Sequence, residues 1–200
     1  MISIYKIKPK FQQLLKPILA WLHKRKVTAN QLTVAAIVFS AGLGACLWFS
    51  SIWDFSFLIV PIGLLLRMAL NALDGMMART YNMQSKLGEV LNELGDVISD
   101  MFIYIPLIKL NGSIPEVVII FVSLSIVNEF AGFMGKVISE ERRYDGPMGK
   151  SDRALVVGVL CLTLFFTPLN AWVVNGILIG SSILMIISTV VRLNKALKNG

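Results

Sequence analysis

Five acidic residues lie within, or at the ends of, strongly apolar segments of the chain. They are Asp74, Glu93, Asp96, Asp100 and Glu129. A carboxylate in such a segment is costly unless it has a function or a partner. These side chains could bind a divalent cation, accept a proton or form buried ion pairs. Their spacing on the helices that carry them indicates which of these uses applies.

The acidic residues fall on two predicted helices that are neighbours along the chain. Asn71 and Asp74 are three residues apart on the first helix and therefore share a face. Asn92, Asp96 and Asp100 follow at intervals of four on the next helix, about 6 Å apart along its axis. A short loop makes the two helices antiparallel, so their polar faces can converge. Mg²⁺ is often held by a few carboxylates together with substrate phosphates, and the cluster therefore predicts a metal site for a diphosphate substrate.

Glu93 and Asp100 border the same face as Asp96, but at different depths. Glu93 can join the metal site, and we include it among the predicted metal ligands. Asp100 lies one turn deeper, level with Arg67, which is four residues before Asn71. We expect a buried ion pair between Arg67 and Asp100, because charges at that depth are usually paired. A ligand role for Asp100 is the alternative.

The elements that must position these residues are membrane helices. Hydrophobic residues make up 56% of the 200 residues, more than the roughly 45–50% of soluble domains. Several apolar segments are long enough to cross a hydrocarbon core about 30 Å thick. We predict an all-α integral membrane protein with one domain over residues 1–200, comprising an interfacial helix (1–27), a six-helix bundle (28–193) and a cytoplasmic tail (194–200). The predicted transmembrane helices cover approximately residues 31–52, 56–79, 88–110, 115–138, 150–167 and 171–192.

The distribution of basic residues predicts the orientation of the bundle. The formal net charge is +7, and seventeen of the nineteen Lys and Arg residues fall on one side of the predicted bundle. By the positive-inside rule, both termini and the second and fourth loops face the cytoplasm. The charges cluster at the ends of apolar segments, so we expect membrane lipids rather than nucleic acid as partners. We predict a bacterial-type inner (plasma) membrane location with a cytoplasmic active site.

The N-terminal segment from Ile4 to Lys26 mixes lysines with apolar residues that recur at intervals of three and four. This pattern predicts an amphipathic helix lying in the cytoplasmic interface. A helix packed on the loops is the alternative.

Small residues recur every four positions on two predicted helices, and such ridges allow close helix contact in lipid. They are Ala36, Ser40 and Gly44 on the first helix, and Gly176 and Gly180 on the sixth. We expect a homodimer, although spacing alone does not distinguish internal contacts from contacts between protomers.

The residues from Asp74 to Asp96 resemble a family signature. Asp74-Gly75, Ala78-Arg79, Gly88, Asn92 and Asp96 have the spacing of the pattern DGxxARx8GxxxDxxxD of the CDP-alcohol phosphotransferase family. The stretch from Thr28 to Thr33 is also similar to the family's entry into its first helix. The resemblance implies transfer of a phosphatidyl group from a CDP-linked lipid, such as CDP-diacylglycerol, to a hydroxyl acceptor with release of CMP, in the presence of Mg²⁺ or Mn²⁺.

The resemblance also implies roles for individual residues. Asp74 and Asp96, together with Asn71 and Asn92, would bind metal and diphosphate, and Asp96 would be the general base. A further set would bind the CDP and its diphosphate: Asn30, Gly75, Ala78, Arg79 and Gly88, together with Asp74.

Two positions depart from the family pattern, which usually has four aspartates. Asn71 stands at the first of these positions and Asn92 at the third. Each asparagine can still offer a carbonyl oxygen but removes one negative charge. Either the site holds one metal ion, or Glu93 and Asp100 supply the missing charge.

Glycerol phosphate, serine, inositol phosphate or an existing lipid would each be consistent as the acceptor. The basic side chains beside glycine in the fourth loop suit contact with phosphate and thus an anionic acceptor. Lys150 and Arg153 in this loop are the preferred candidates to contact the acceptor, although the positive-inside rule also explains them. Glu129 lines the acceptor pocket or bonds to a neighbouring helix. A non-catalytic CDP-lipid-binding relative and a membrane transporter are the alternatives to an enzyme.

Overall fold

The computed structural model describes residues 8–200, which form seven α-helices and one short 3₁₀-helix, with no β-strand among them. The α-helices are α1 Lys8–Lys24, α2 Ala29–Trp48, α3 Ser56–Thr80, α4 Lys86–Tyr104, α5 Pro115–Ser139, α6 Lys150–Phe166 and α7 Ala171–Asn199, and the 3₁₀-helix Ile105–Lys109 follows α4.

Local chemistry explains where several of these helices begin. The Thr28 hydroxyl accepts from the Gln31 backbone N–H, and the Gln31 side chain accepts from the Thr28 backbone N–H, which is a capping box at the start of α2. Ser85 caps α4 by accepting from the Gly88 backbone N–H at 3.0 Å. Asn170 caps α7 in the same way. These caps satisfy backbone N–H groups that have no partner within the helix.

Four helices are long and apolar enough to cross a membrane: α2, α3, α5 and α7. α4 does not have the composition of a membrane span because it carries Glu89, Glu93, Asp96 and Asp100. α6 has only 17 residues. The prediction of membrane helices is thus confirmed for four segments, and the count of six remains a prediction.

Two predicted boundaries were wrong. The third span was expected to be one helix over 88–110, but α4 ends at Tyr104 and the chain tightens into the 3₁₀-helix. Pro106 has no backbone N–H to donate, so a regular α-helix is disfavoured at this point. The segment 194–200 was expected to be a tail after a helix ending near 192, but α7 continues to Asn199. Ala196 is fully buried there, and packing of this kind holds the last turns of a helix in place.

α2 is the helix on which both α3 and α4 pack. α2 packs against both α3 and α4, α3 also packs against α6, and α5 packs chiefly against α7 and less extensively against α4. The ridge of Ala36, Ser40 and Gly44 is buried. A Cβ at Gly44 would lie 2.0 Å from the Phe102 carbonyl oxygen, so this glycine lets α2 and α4 approach closely. A Cβ at Gly176 or Gly180 would meet no atom within 4 Å in the described part of the chain.

α1 carries apolar residues on two sides. Leu15 and Leu19 are buried in a small cluster with residues of α2 and α3. Leu14 and Ile18 are 75% and 47% exposed on the other side. The predicted interfacial segment began at Ile4, and residues 4–7 lie outside the described residues.

Candidate active site

Asp74 lies in the C-terminal half of α3, where its carboxylate contacts α2. The Thr33 hydroxyl on α2 donates to Asp74 Oδ2 at 2.9 Å, and the Gly75 backbone N–H donates to Oδ1 at 2.5 Å. The side chain is buried, with 4% of the residue exposed. These two hydrogen bonds fix the orientation of the carboxylate. Thr33 was not among the predicted site residues.

Asp96 on α4 faces a cavity of about 380 Å³ that it shares with three of the other four predicted metal ligands. Asn71, Asp74, Asn92 and Asp96 all line this cavity. The Lys150 ammonium, at the first residue of α6, donates to Asp96 Oδ1. The antiparallel arrangement of α3 and α4 thus brings together the side chains that the spacing placed on one face of each helix.

Glu93 and Asp100 are engaged with arginines. Glu93 accepts from Arg142 and is not among the residues that line the cavity. Arg67 donates to Asp100 Oδ1 at 2.7 Å, and Arg153 donates to Asp100 Oδ2 at 2.7 Å. The predicted Arg67–Asp100 ion pair is confirmed, with Arg153 as a second cation on the same carboxylate.

A second cavity of about 560 Å³ lies on the α2 side of Asp74. Asp74, Gly75 and Asn92 line both cavities, so the two spaces meet at these residues. Three other residues predicted to bind the CDP group line only the second cavity: Asn30, Ala78 and Gly88. Arg79 lines the first. A Cβ at Gly88 would lie 2.7 Å from Asn30 Oδ1, so glycine is what allows the Asn30 side chain to lie against α4.

Glu129 on α5 is the centre of a group of arginines. It accepts hydrogen bonds from Arg142 at 2.8 Å and from Arg153 at 2.9 Å, and a guanidinium nitrogen of Arg192 lies 3.9 Å from its carboxylate. Glu129, Arg142 and Arg192 line the first cavity, whereas Arg153 is fully buried behind it. Of the three predicted acceptor residues, Lys150 and Glu129 therefore line the cavity, and Arg153 is linked to it through Glu129.

Sequence reasoning missed Arg142 and Arg192 as cavity residues. Arg142 was placed only in the basic fourth loop that could contact phosphate, and Arg192 was counted only as a charge near the end of a predicted span. Burial lowers the pKa of Arg142, but the carboxylates of Glu129 and Glu93 together raise it by more. The pKa of Arg142 is therefore above its ordinary value. Arg142 therefore stays charged beside the cavity. The missed signal was the presence of Glu129 in an apolar helix, since a buried acid requires a cationic partner.

The oxygen-bearing side chains of the first cavity fit a divalent metal ion that is completed by substrate. Among the described residues, no three His, Cys, Asp or Glu side chains form a group able to hold a metal. At the predicted metal site, the first cavity presents the carboxylates of Asp74 and Asp96 and the amides of Asn71 and Asn92. Lys150 contacts Asp96 there. Carboxylate and amide oxygens are suitable ligands for Mg²⁺ or Mn²⁺, which also take water and substrate oxygens. The set therefore fits a hard divalent ion that is completed by substrate.

Comparisons with known proteins show the family to which the chain belongs. The model of the CDP-alcohol phosphatidyltransferase family matches residues 26–191. The chain is 46% identical over 166 residues to the inner membrane protein YnbA of Escherichia coli K12, covering 83% of this chain and 82% of that protein.

Solved structures show the same fold at low sequence identity. The crystal structure of Mycobacterium tuberculosis phosphatidylinositol phosphate synthase (PgsA1) with CDP-DAG bound has a TM-score of 0.73 and 19% identity, covering 92% of this chain and 94% of that one. The same synthase in complex with manganese and citrate has a TM-score of 0.71 and 19% identity, covering 90% and 88%. With the family match over most of its length, the chain belongs to the CDP-alcohol phosphatidyltransferase family and is a transferase of phospholipid biosynthesis.

Proposed function

We propose that this chain transfers a phosphatidyl group from CDP-diacylglycerol to an alcohol at the cavity between α3, α4 and α6. The observation that carries the proposal is that Asp74 and Asp96, on two antiparallel helices, line one cavity that adjoins a second cavity at Gly75. Two adjoining cavities suit a reaction in which the diphosphate of one substrate must meet the hydroxyl of another.

The donor would span both cavities. Asn30, Ala78 and Gly88 line the second cavity, and we assign the cytidine end of the donor to it. Arg79 would contact the diphosphate, because it lines the first cavity and has no salt bridge among the described residues. The solved relative that binds CDP-DAG supports this type of donor.

A single divalent ion, Mg²⁺ or Mn²⁺, would be held by Asp74 and Asp96 with the amide oxygens of Asn71 and Asn92. When bound, the ion would polarise the phosphoryl group and offset its negative charge. Glu93 and Asp100 would not replace the charge lost at the two asparagines, because both are already bound to arginines. The structure of the relative with manganese supports a divalent metal in this fold.

Lys150 would supply the positive charge that a second metal ion would otherwise bring to the site. Its ammonium group contacts Asp96 and lies at the start of α6, facing the cavity. A fixed cation beside one carboxylate fits a site in which two of the four family aspartates are replaced by asparagine. We therefore interpret Asn71, Asn92 and Lys150 as one linked variation on the family pattern.

Asp96 would act as the general base. The acceptor oxygen would attack the phosphorus attached to the lipid, the bond from that phosphorus to the CMP oxygen would break, and the acceptor proton would pass to Asp96. Lys150 engages Oδ1 of this carboxylate, and we assign Oδ2 to the acceptor. Glu129 and Lys150 would line the acceptor's part of the cavity, with Arg153 as a positioning residue for Asp100 and Glu129.

The membrane arrangement is also a proposal. We place α4 and α6 across the membrane with the four long apolar helices, which gives six spans with both termini and the site on the cytoplasmic side. The similarity to a bacterial inner membrane protein supports an inner membrane location. α1 would lie in the cytoplasmic interface, with the exposed face of Leu14 and Ile18 toward lipid, and the protein would form a homodimer.

The assay of CMP release tests the proposed function. Purified protein with CDP-diacylglycerol, Mn²⁺ and a panel of alcohols should release CMP and form a new lipid that mass spectrometry identifies. A non-catalytic relative would bind CDP-diacylglycerol without releasing CMP with any alcohol. A transporter would move its solute without CMP release, and membership in a transferase family gives that alternative no support.

A further inference from the structure

The charges around Glu129 restrict what the acceptor part of the first cavity can bind. Glu129 is buried and holds Arg142 and Arg153 through hydrogen bonds of 2.8 and 2.9 Å, with Arg192 at 3.9 Å. The other terminal guanidinium nitrogen of Arg142 donates a hydrogen bond to Glu93. The arginines of this region are therefore compensated by carboxylates of the chain itself.

The other cations on the cavity wall also have partners. Lys150 contacts Asp96, and Arg67 contacts Asp100. Arg192 donates to the backbone carbonyl oxygens of Asp145 at 3.1 Å and Asn128 at 2.5 Å. Within residues 8–200, Arg79 is the cation on this wall without a carboxylate or carbonyl partner, and the donor's diphosphate would use it.

A phosphate group on the acceptor would conflict with this arrangement. A phosphate monoester carries nearly two negative charges at neutral pH and binds arginine through charge-assisted hydrogen bonds. To obtain Arg142 it would have to compete with Glu129 and Glu93 for the guanidinium, and it would bring its charge next to the buried Glu129, which would keep only Arg153 at hydrogen-bond distance. Like charges placed side by side at a binding site are strongly unfavourable. A neutral or zwitterionic alcohol imposes no such cost. Neutral hydrogen-bonding side chains on the same wall, including those of Ser151 and Tyr144, suit it.

We propose that the acceptor carries a free hydroxyl group and no phosphate, and that Glu129 is the residue that determines this specificity. The inference rests on the proposed function, because the acceptor is the second substrate of that reaction. A buried acid that rejects anionic ligands is a common means of building specificity by unfavourable contacts.

Matched acceptor pairs test the proposal. CMP release from CDP-diacylglycerol and Mn²⁺ would be measured with glycerol and glycerol 3-phosphate, myo-inositol and its 1-phosphate, and serine and O-phosphoserine. The unphosphorylated member of a reacting pair should have a kcat/KM at least about tenfold higher, as expected when its competitor brings negative charge next to a buried carboxylate. In parallel, calorimetric titration of glycerol 3-phosphate into protein with Mn²⁺ and CMP should show no saturable binding at millimolar concentrations.

Two variants assign the effect to the carboxylates. Glu129→Gln keeps the shape of the side chain and removes the charge. Glycerol 3-phosphate should therefore bind to this variant at least about tenfold more tightly than to wild type. Glu93→Gln weakens the contact of one guanidinium nitrogen of Arg142 at a less buried position, and it should shift the binding of glycerol 3-phosphate in the same direction. This second variant decides the question if Glu129→Gln fails to fold. Glu141→Gln is the matched control, because Glu141 is exposed and 3.8 Å from Arg143, and it should bind as wild type does.

The outcomes separate the inference from the proposed function. Higher kcat/KM with phosphorylated acceptors, or micromolar binding of glycerol 3-phosphate to wild type, overturns the inference while CMP release leaves the transferase in place. If none of the six alcohols reacts, the titrations of wild type and the two variants still decide. Absence of both CMP release and CDP-diacylglycerol binding overturns the proposed function and, with it, the inference.

Discussion

Thr33 on α2 donates a hydrogen bond to Asp74 on α3, with 2.9 Å between the two oxygens. α2 carries no acidic residue, yet it orients a carboxylate of the proposed metal site. The Gly75 backbone N–H holds the other oxygen of the same carboxylate. Each carboxylate oxygen retains a lone pair after one hydrogen bond, so both can still face a cation. The geometry of the site thus depends on the contact between α2 and α3.

Replacing Thr33 with valine should lower CMP release about tenfold while leaving the fold intact. Valine keeps the branched shape but loses the hydroxyl donor, and a hydrogen bond to a charged group contributes about 1.5–3 kcal/mol. Thr33→Ser restores the donor and should recover most of the activity. The measurement is steady-state CMP release at several Mn²⁺ concentrations. Equal activity of Thr33→Val and wild type would show that this hydrogen bond does not position Asp74.

Asp74→Asn and Asp96→Asn should impair the enzyme in different ways. Asp74→Asn should mainly raise the Mn²⁺ concentration needed for half-maximal rate, because it removes a metal-binding charge. Asp96→Asn should also lower the rate at saturating Mn²⁺, by about 10²–10⁴-fold for loss of a general base. Asp54→Asn, in the exposed loop between α2 and α3, is the control and should match wild type. Full activity of Asp96→Asn at saturating metal would exclude Asp96 as the base.

The proposed one-ion site has a spectroscopic test. Wild-type protein should bind one Mn²⁺ per chain, with the electron paramagnetic resonance spectrum of an isolated ion, and EDTA should stop CMP release. The combination Asn71→Asp, Asn92→Asp and Lys150→Met restores acidic charge and removes the ammonium, so it should bind a second ion. Two spin-coupled ions in the wild type would contradict the assignment of Lys150 as the compensating charge.

The sequence predicted the pairs of residues whose positions follow from helix periodicity and a short connection. Asn71 with Asp74, and Asn92 with Asp96, reach one cavity because α3 and α4 both pack against α2 and face the same space. The Arg67–Asp100 pair was predicted for the same reason and is confirmed. The family signature lies in the same local region, so recognising it and predicting this part of the site required no knowledge of distant packing.

Contacts that depend on how a loop folds, or on how non-consecutive helices pack, could not be predicted in this way. Arg142 reaches Glu129 because the loop after α5 folds back toward that helix, and Arg153 reaches the same carboxylate from the first turn of α6. Lys150 contacts Asp96 across 54 residues of chain. Helix periodicity describes one element at a time, and it carries no information about which distant arginine meets a buried acid.

The three-residue ion cluster at Asp100 should make a large contribution to stability. Arg67→Met leaves Asp100 with Arg153, whose guanidinium also serves Glu129. Breaking a buried pair by removing one partner destabilises a protein by about 3–5 kcal/mol. Unfolding in a defined detergent mixture should show a loss of this size for Arg67→Met and almost none for Arg25→Met, which alters an exposed arginine between α1 and α2. Equal stability of the two variants would show that the Asp100 cluster is not structurally important.

The proposed orientation can be tested with single cysteines. In a background with Cys46→Ala and Cys161→Ala, Glu141→Cys places a thiol in the loop between α5 and α6, and Asn111→Cys places one between the 3₁₀-helix and α5. Both positions are exposed. By the positive-inside rule a membrane-impermeant maleimide should label Asn111→Cys in intact cells, and Glu141→Cys only after the inner membrane is opened. Because Arg142 and Lys150 border the site on the Glu141 side, the same labelling pattern would place the CDP-lipid reaction in the cytoplasm; labelling of Glu141→Cys in intact cells would place it outside.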